Sequence, residues 1–501
     1  MRAILSITTV FLASVFTAAA AIEGLPEPGA QRPTKFLTPQ EKTLANGLRV
    51  IVVERPGVPL VSAEVLLQSG SEADLPQASG LAAFTAALLT EGTTTRSATQ
   101  IAREVEALGA TLKATADWDG TEVELTSLST QIEPAFALLA DVTRHPRFTT
   151  AEIERVRRLT LDELRLSFEE PGTVAKLAAS RAILGNGLYA HPAKGTIASL
   201  QRLNRGEIVD FHTAHFTAGK AHLIIAGNIT AEAAFALVEK NFGDWKAEPE
   251  KPAPAAAPPA PKGKHKASGS AAAPAASDAV AKPRAVLIDM PNAGQAAVVV
   301  GAPGIPRKAE DYFAGVVANT VLGGGYTSRL NEEIRVKRGL SYGVRSSLGA
   351  MRAGGIFTAR CQTKNVSGSE VVTLMRGEMK RLESELVPAD FLATRQAMLG
   401  GDFARELETN NGYVKRLADL AMHEQPLELL PHYIDRLREV TPEAVRAFAE
   451  KNFVPAAMSV VVAGQAKEIT KPLHELFPKL EVIKQSELDL DSPTLRHAGK
   501  H

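Results

Sequence analysis

The chain has 501 residues, 45% of them hydrophobic, with 56 basic and 56 acidic side chains. A net charge of zero provides no global field for nucleic acid or an anionic membrane, and the usual prior of about 100–200 residues per domain allows two to four domains. The single cysteine, Cys361, excludes an intrachain disulfide and reads as a small buried apolar residue, so packing must hold the fold together.

At the N-terminus Met1-Arg2 precedes an apolar run at 4–16 and small residues at 18–21. This pattern reads as a signal peptide over residues 1–21 and predicts export, to a bacterial periplasm. A membrane anchor is the alternative, but the apolar run is short for a span of about 20 residues, and no later segment is long and apolar enough to cross.

Residues 22–247 then read as a first domain. A Pro- and Gly-rich lead-in gives way to TLANGLRVIVVE at 43–54, a hairpin around Asn46-Gly47, and to a strand at 60–68. GSEADLPQASGLAAFTAALLTEG, at 70–92, predicts a loop and an alanine-rich helix whose apolar side carries Leu81, Phe84, Leu88 and Leu89. Ser97 caps a helix that Gly109 stops, and strands follow at 111–116 and 121–128. Helices are predicted at 132–144, 151–167, 174–184 and 206–215, then a strand at 222–226 and a helix at 231–242.

Residues 248–283 change to alanine, proline, lysine and serine and predict a flexible linker. A second domain, 284–486, repeats the order of the first, and 487–501 reads as a tail. HFTAGKAHLIIAGNITAEAAFALVEKNFGDW (215–245) and NFVPAAMSVVVAGQAKEITKPLHELFPKL (452–480) share a Phe, a short turn, an apolar strand ending in Ala-Gly and a helix. Two copies of one unit follow. Meander-like strands succeeded by runs of helices predict an α+β fold of two α/β-sandwich halves, each an antiparallel-rich mixed sheet with helices packed on it.

In the second half, LGGGYTSRLNEEIRVKRGLSYGVRSSL (322–348) predicts a helix that Thr327 or Ser328 opens and Gly339 ends, then a strand on which Leu340, Tyr342 and Val344 alternate with polar residues. Arg335 and Tyr342 thereby come close. The residues alone leave two readings open, a guanidinium and phenol that clasp a carbonyl or carboxylate, or a solvated helix-end cation beside a packed aromatic. Phosphate binding by the glycines is disfavoured, because no lysine completes a P-loop.

These segments resemble the pitrilysin–insulinase family of zinc metallopeptidases over almost the whole mature chain. The family pairs two homologous halves and carries an inverted zinc motif, His-x-x-Glu-His, in the segment that matches residues 70–92; two imidazoles one turn apart hold the metal and the glutamate activates water. Here Ala83 and Ala87 stand where the histidines belong and Ala86 where the general base belongs. Glu163, in LTLDEL, matches the family's third ligand and reads as a leftover surface or salt-bridged glutamate. Arg335 and Tyr342 match the family's substrate-clasping pair.

The resemblance therefore implies a subunit with no cofactor of its own and no autonomous peptidase activity. It would supply Arg335 and Tyr342 for peptide binding and oxyanion stabilisation in trans to a homologous zinc-bearing partner, in a heterodimer or larger assembly. A peptide-binding or scaffold protein with no role in proteolysis is the alternative. Other metal or nucleophile readings are poor. His212 and His215 have helical ligand spacing but no acidic neighbour, His423-Glu424 and His474-Glu475 are not completed by a second histidine, and His191 falls in a family loop of structural character.

Overall fold

The computed structural model describes residues 36–74, 77–247 and 282–497. The signal segment, most of the linker and residues 498–501 lie outside these. In the first half the elements run β1 (Gln40–Thr43), β2 (Arg49–Glu54), β3 (Leu60–Leu67), α1 (Leu81–Leu88), α2 (Ala98–Ala107), β4 (Thr111–Ala116), β5 (Thr121–Leu128), α3 (Ile132–Arg144), α4 (Thr150–Phe168), α5 (Pro171–Leu184), α6 (Ile197–Arg202), α7 (Arg205–His215), β6 (Ala221–Gly227) and α8 (Ala231–Phe242). The second half runs β7 (Ala285–Asp289), β8 (Ala296–Gly304), α9 (Tyr312–Gly323), β9 (Val344–Met351), β10 (Gly354–Thr363), α10 (Gly368–Ser384), α11 (Ala389–Glu406), α12 (Asn410–Met422), α13 (Leu429–Arg438), α14 (Pro442–Asn452), β11 (Ser459–Gly464), α15 (Ala466–Leu476) and β12 (Glu481–Lys484).

The two sheets have one design. Their strand orders are β1-β2-β6-β3-β5-β4 and β12-β7-β11-β8-β10-β9. In each, a parallel pair (β2 with β6, β7 with β11) sits beside an antiparallel meander. The α+β expectation holds, with two homologous α/β-sandwich halves. Local chemistry sets the ends: Gly47 takes the positive φ, +88°, that the β1–β2 turn requires, and Ser97 and Gln100 complete a capping box on α2. Two strands that the sequence reading passed over, β7 and β12, are short and apolar only in part.

The halves are joined by an exchange of helices. Helix α5, from the first half, packs on β8 and β11 of the second sheet. Its Val174, Ala175, Ala178, Ala179, Ala182 and Ile183 share a buried cluster with Val286, Ile288, Ala297, Val299 and Val461. Close approach demands small residues here, since a Cβ on Gly301 would lie 2.7 Å from Ile183 Cδ1 and 2.4 Å from the Phe357 carbonyl oxygen. In return, α12 of the second half lies on β3 and β6 of the first sheet. The central strands are thus covered on both faces, which accounts for the apolar runs of β6, β8 and β11, while β3 interrupts its run with Ser62 and Glu64. Residues 488–495, within the segment read as a tail, also pack, because Leu490 and Leu495 are buried in the second cluster.

Charge accompanies the exchange. Lys415 on α12 reaches Glu64 at 3.1 Å, Glu122 at 2.6 Å and Glu124 at 2.9 Å on the first sheet. Burial, and then the Glu122 carboxylate, push the fully buried Glu64 carboxyl up to about 8 against the pull of Lys415. Nearby, Asp119 of the first half accepts from the Arg352 backbone N–H at 2.7 Å, and Arg352 pairs with Glu72 at 2.7 Å. Burial pulls His423 down in pKa, but Asp119 and Asp419 outweigh it and push it up to about 9.

Two outcomes test this architecture. Both tryptophans, Trp118 and Trp245, lie in the first half. Ile288→Ala in the second core should cost about 2–5 kcal/mol and should lower the denaturation midpoint reported by tryptophan fluorescence; an unshifted tryptophan transition would show that the halves unfold independently. Glu64 keeps a proton in the folded state that the unfolded chain releases once the pH exceeds its ordinary value of 4.5. Stability should therefore fall as pH rises from there through about 8. Glu64→Gln should flatten that fall in Tm measured against pH, and an unchanged slope contradicts the assignment.

Candidate functional site

Helix α1 carries Ala83, Ala86 and Ala87, the positions that the family resemblance aligns with the zinc motif. Asp74 fixes its start, accepting from the Gly80 and Ala82 backbone N–H groups at 2.7 and 2.9 Å. Gly80 has φ +89°, and an added Cβ there would lie 2.6 Å from Gly195 Cα. The loop containing His191 and Gly195 thus buttresses the entry to α1, with His191 Nε2 3.0 Å from the Ser71 carbonyl oxygen. Ala83 is half-buried, Ala86 fully buried and Ala87 exposed. Their methyl groups offer neither a lone pair nor a proton. Glu163, on α4, is exposed and makes no ion pair among the described residues. This donor set does not fit zinc, and among the described residues no three His, Cys, Asp or Glu side chains converge to hold a metal.

The second-half stretch folds differently from its prediction. Residues 331–336 form a π-helical turn in which the Lys337 N–H donates to the Glu332 carbonyl five residues back. Gly339, at φ +61°, ends it. The following N–H groups, of Gly339 and Leu340, bond to Arg335 and Ile334, one residue wider than the usual glycine-terminated stop. Residues 340–343 are loop, and the strand starts only at Val344, because the ladder to β10 begins there and Asn331 takes the Val344 N–H at 3.0 Å. The expected strand over 340–344 is thus corrected. Neither Thr327 nor Ser328 caps by its side chain; Thr327 Oγ1 accepts from Arg395 at 2.7 Å instead.

Arg335 and Tyr342 do come together. The guanidinium carbon lies 5.3 Å from the Tyr342 ring centroid and 5.1 Å from that of Tyr326. Arg335 is thereby held between two aromatic faces, with no ion pair or side-chain hydrogen bond among the described residues. Tyr342 is 89% and Tyr326 66% exposed. Both tyrosines line a cleft of about 1410 Å³ with Gly323, Gly324 and Gly325, Arg345 and Arg360, and the first turn of α5. Ala83, Ala86, Ala87 and Glu163 do not line it.

The remaining candidates have structural partners. His212 Nε2 meets the Thr143 carbonyl at 2.9 Å and His215 Nδ1 the Ser69 hydroxyl at 2.8 Å, so the two rings serve different neighbours. Burial pushes both down to about 4. Cys361 is buried on β10 and its thiol is pushed up to about 12 by that burial, which suits a packing residue.

Two homologous mixed sheets, a helix with alanine at the three positions that align with the zinc motif and a guanidinium stacked on phenols beside a cleft define a two-domain metallopeptidase-like chain. It belongs to peptidase family M16: a model described as insulinase (peptidase family M16) matches residues 49–192, and one described as peptidase M16 inactive domain matches residues 202–398. An uncharacterised zinc protease of Mycobacterium leprae is 26% identical over 430 residues, 86% of this chain and 93% of that protein. One of Bacillus subtilis is 23% identical over 414 residues, 82% and 95% of the two chains. Among solved structures, a peptidase M16 inactive domain from Pseudomonas fluorescens superposes with a TM-score of 0.75 at 27% identity, covering 86% of this chain and 98% of that one. A Helicobacter pylori protease shares the fold, with a TM-score of 0.75 at 18% identity over 85% of this chain and all of that one. Among the described residues no helix is long and apolar enough to cross a membrane.

Two residues of the site escaped the sequence reading. Tyr326 sits nine positions from Arg335 in a glycine-rich turn, where no periodicity predicts stacking. Asn331 is buried, and its amide ties the stretch together by donating to the Gly325 and Val344 carbonyls at 2.9 and 2.7 Å. A lone asparagine inside a charged helical pattern was the available signal. Asn331→Ala leaves those groups unpartnered and should cost about 1–3 kcal/mol, read as a lower Tm, together with faster local amide exchange at Val344.

Proposed function

We propose that this chain is the non-zinc-binding subunit of a heteromeric M16-type peptidase. The observation that carries the reading is an asymmetry within one molecule: α1 carries alanine at all three positions that align with the zinc motif, while Arg335 and Tyr342 are adjacent and Tyr342 lines a cleft. A division of labour accounts for both facts. Zinc on a homologous partner would supply the activated water. This chain binds an extended peptide, with Arg335 donating to a backbone carbonyl and the Tyr342 hydroxyl donating to the oxygen that becomes negative during attack. Stacking between Tyr326 and Tyr342 restricts the guanidinium before substrate arrives, which lowers the ordering cost of the hydrogen bond. The N-terminal signal pattern is consistent with work outside the cytoplasm, in a periplasm.

The test uses this full chain, a homologue from the same genome with an intact His-x-x-Glu-His motif, and their mixture. Peptide hydrolysis is expected in the mixture and absent from this chain alone. Arg335→Ala and Tyr342→Phe should each lower kcat about 10²–10³-fold with the complex still assembled on size-exclusion chromatography. Unchanged rates overturn the two roles. A mixture that binds peptide without cleaving it favours the alternative, a peptide-binding module.

A further inference from the structure

The cleft has a charge character that the chain as a whole lacks. Basic and acidic residues balance at 56 each, yet Lys176, Arg345, Arg360, Lys364 and Arg405 line this one cavity against two carboxylates, Glu170 and Asp402. Asp402 is taken by Arg405. The other four cations are exposed and have no ion pair or side-chain hydrogen bond among the described residues. Two of them are forced together, since Arg345 on β9 is directly opposite Arg360 on β10 in the antiparallel register. Like charges opposite one another destabilise a sheet unless an anion lies between them. The first turn of α5 completes the rim, and the partial positive charge of the helix N-terminus adds to theirs.

We infer that the cleft selects acidic peptides, with carboxylate side chains of the bound segment seated over the Arg345–Arg360 pair and flanked by Lys176 and Lys364. This rests on the proposed reading of the cleft as a peptide site. Low-dielectric walls focus the field of the four cations on a chain lying in the groove, so a polyanionic peptide is enriched and a basic one repelled. Peptide is favoured over other polyanions because Tyr342, which lines the cleft with Arg335 stacked against its ring, has a hydroxyl that matches a backbone carbonyl.

The test measures fluorescence anisotropy of the full chain with three labelled peptides of equal length, one rich in Asp and Glu, one in Asn and Gln, one in Lys and Arg. Each exposed ion pair is modest, so several together should make the acidic peptide at least about tenfold tighter than the neutral one. That margin should shrink as salt shortens the screening length. Arg345→Gln with Arg360→Gln should abolish the preference, and Lys176→Gln with Lys364→Gln should reduce it; all four side chains are exposed, and unchanged thermal melts establish that the variants fold. Equal affinities for the three peptides, weakened alike by Arg335→Ala, overturn the charge preference and leave the peptide clasp standing. Binding of none of them overturns both readings. Tighter binding of an oligonucleotide than of the acidic peptide in the same assay overturns the assignment to peptide.

Discussion

The structure depends on the reciprocal loan of one helix between the two halves. A mixed sheet of this kind has two apolar faces, and each half supplies enough of its own helices for one of them. The second face of each sheet is closed by α5 or α12 from the other half. Neither sheet can leave that partnership without exposing valines and isoleucines that each contribute about 1.5–3 kcal/mol when buried. The described residues from Leu37 onward accordingly form one compact unit despite the twofold internal repeat.

The exchange also makes the cleft. Helix α5 runs over β8 and β11, so its first turn, at Glu170 to Lys176, arrives beside the glycine-rich turn and the loop that presents Tyr342. One wall of the candidate site therefore belongs to the first half and the other to the second half, which carries Arg335 and Tyr342.

Where α12 covers the first sheet, charge was placed in a setting that would otherwise be apolar. Lys415 bridges three glutamates of β3 and β5, one of them fully buried. Buried ion clusters add little net stability, because desolvation offsets attraction. Their effect here is registration: only one position of α12 along the strands brings the ammonium to all three carboxyl groups, and Asp119, Arg352 and His423 fix the adjoining turn in the same way.

The sequence by itself determined the repeat, the helices of the first half apart from α6, and the alanines at 83, 86 and 87 where the resemblance places the zinc motif. These are local properties: apolar period, glycine stops and the identity of a side chain at a motif position. The Arg335–Tyr342 proximity was also legible, because a glycine-ended helix brings residues seven apart together. The tertiary structure alone decided which sheet α5 and α12 cover, since an amphipathic face announces that it will be buried but not against what. It also decided the late start of β9, the stacking of Tyr326 on Arg335, the Asp74 cap on α1 and the packing of Leu490 and Leu495. Each of those is a contact between segments that are distant in sequence or bent by a turn, and their partners are fixed by three-dimensional closure rather than by local pattern.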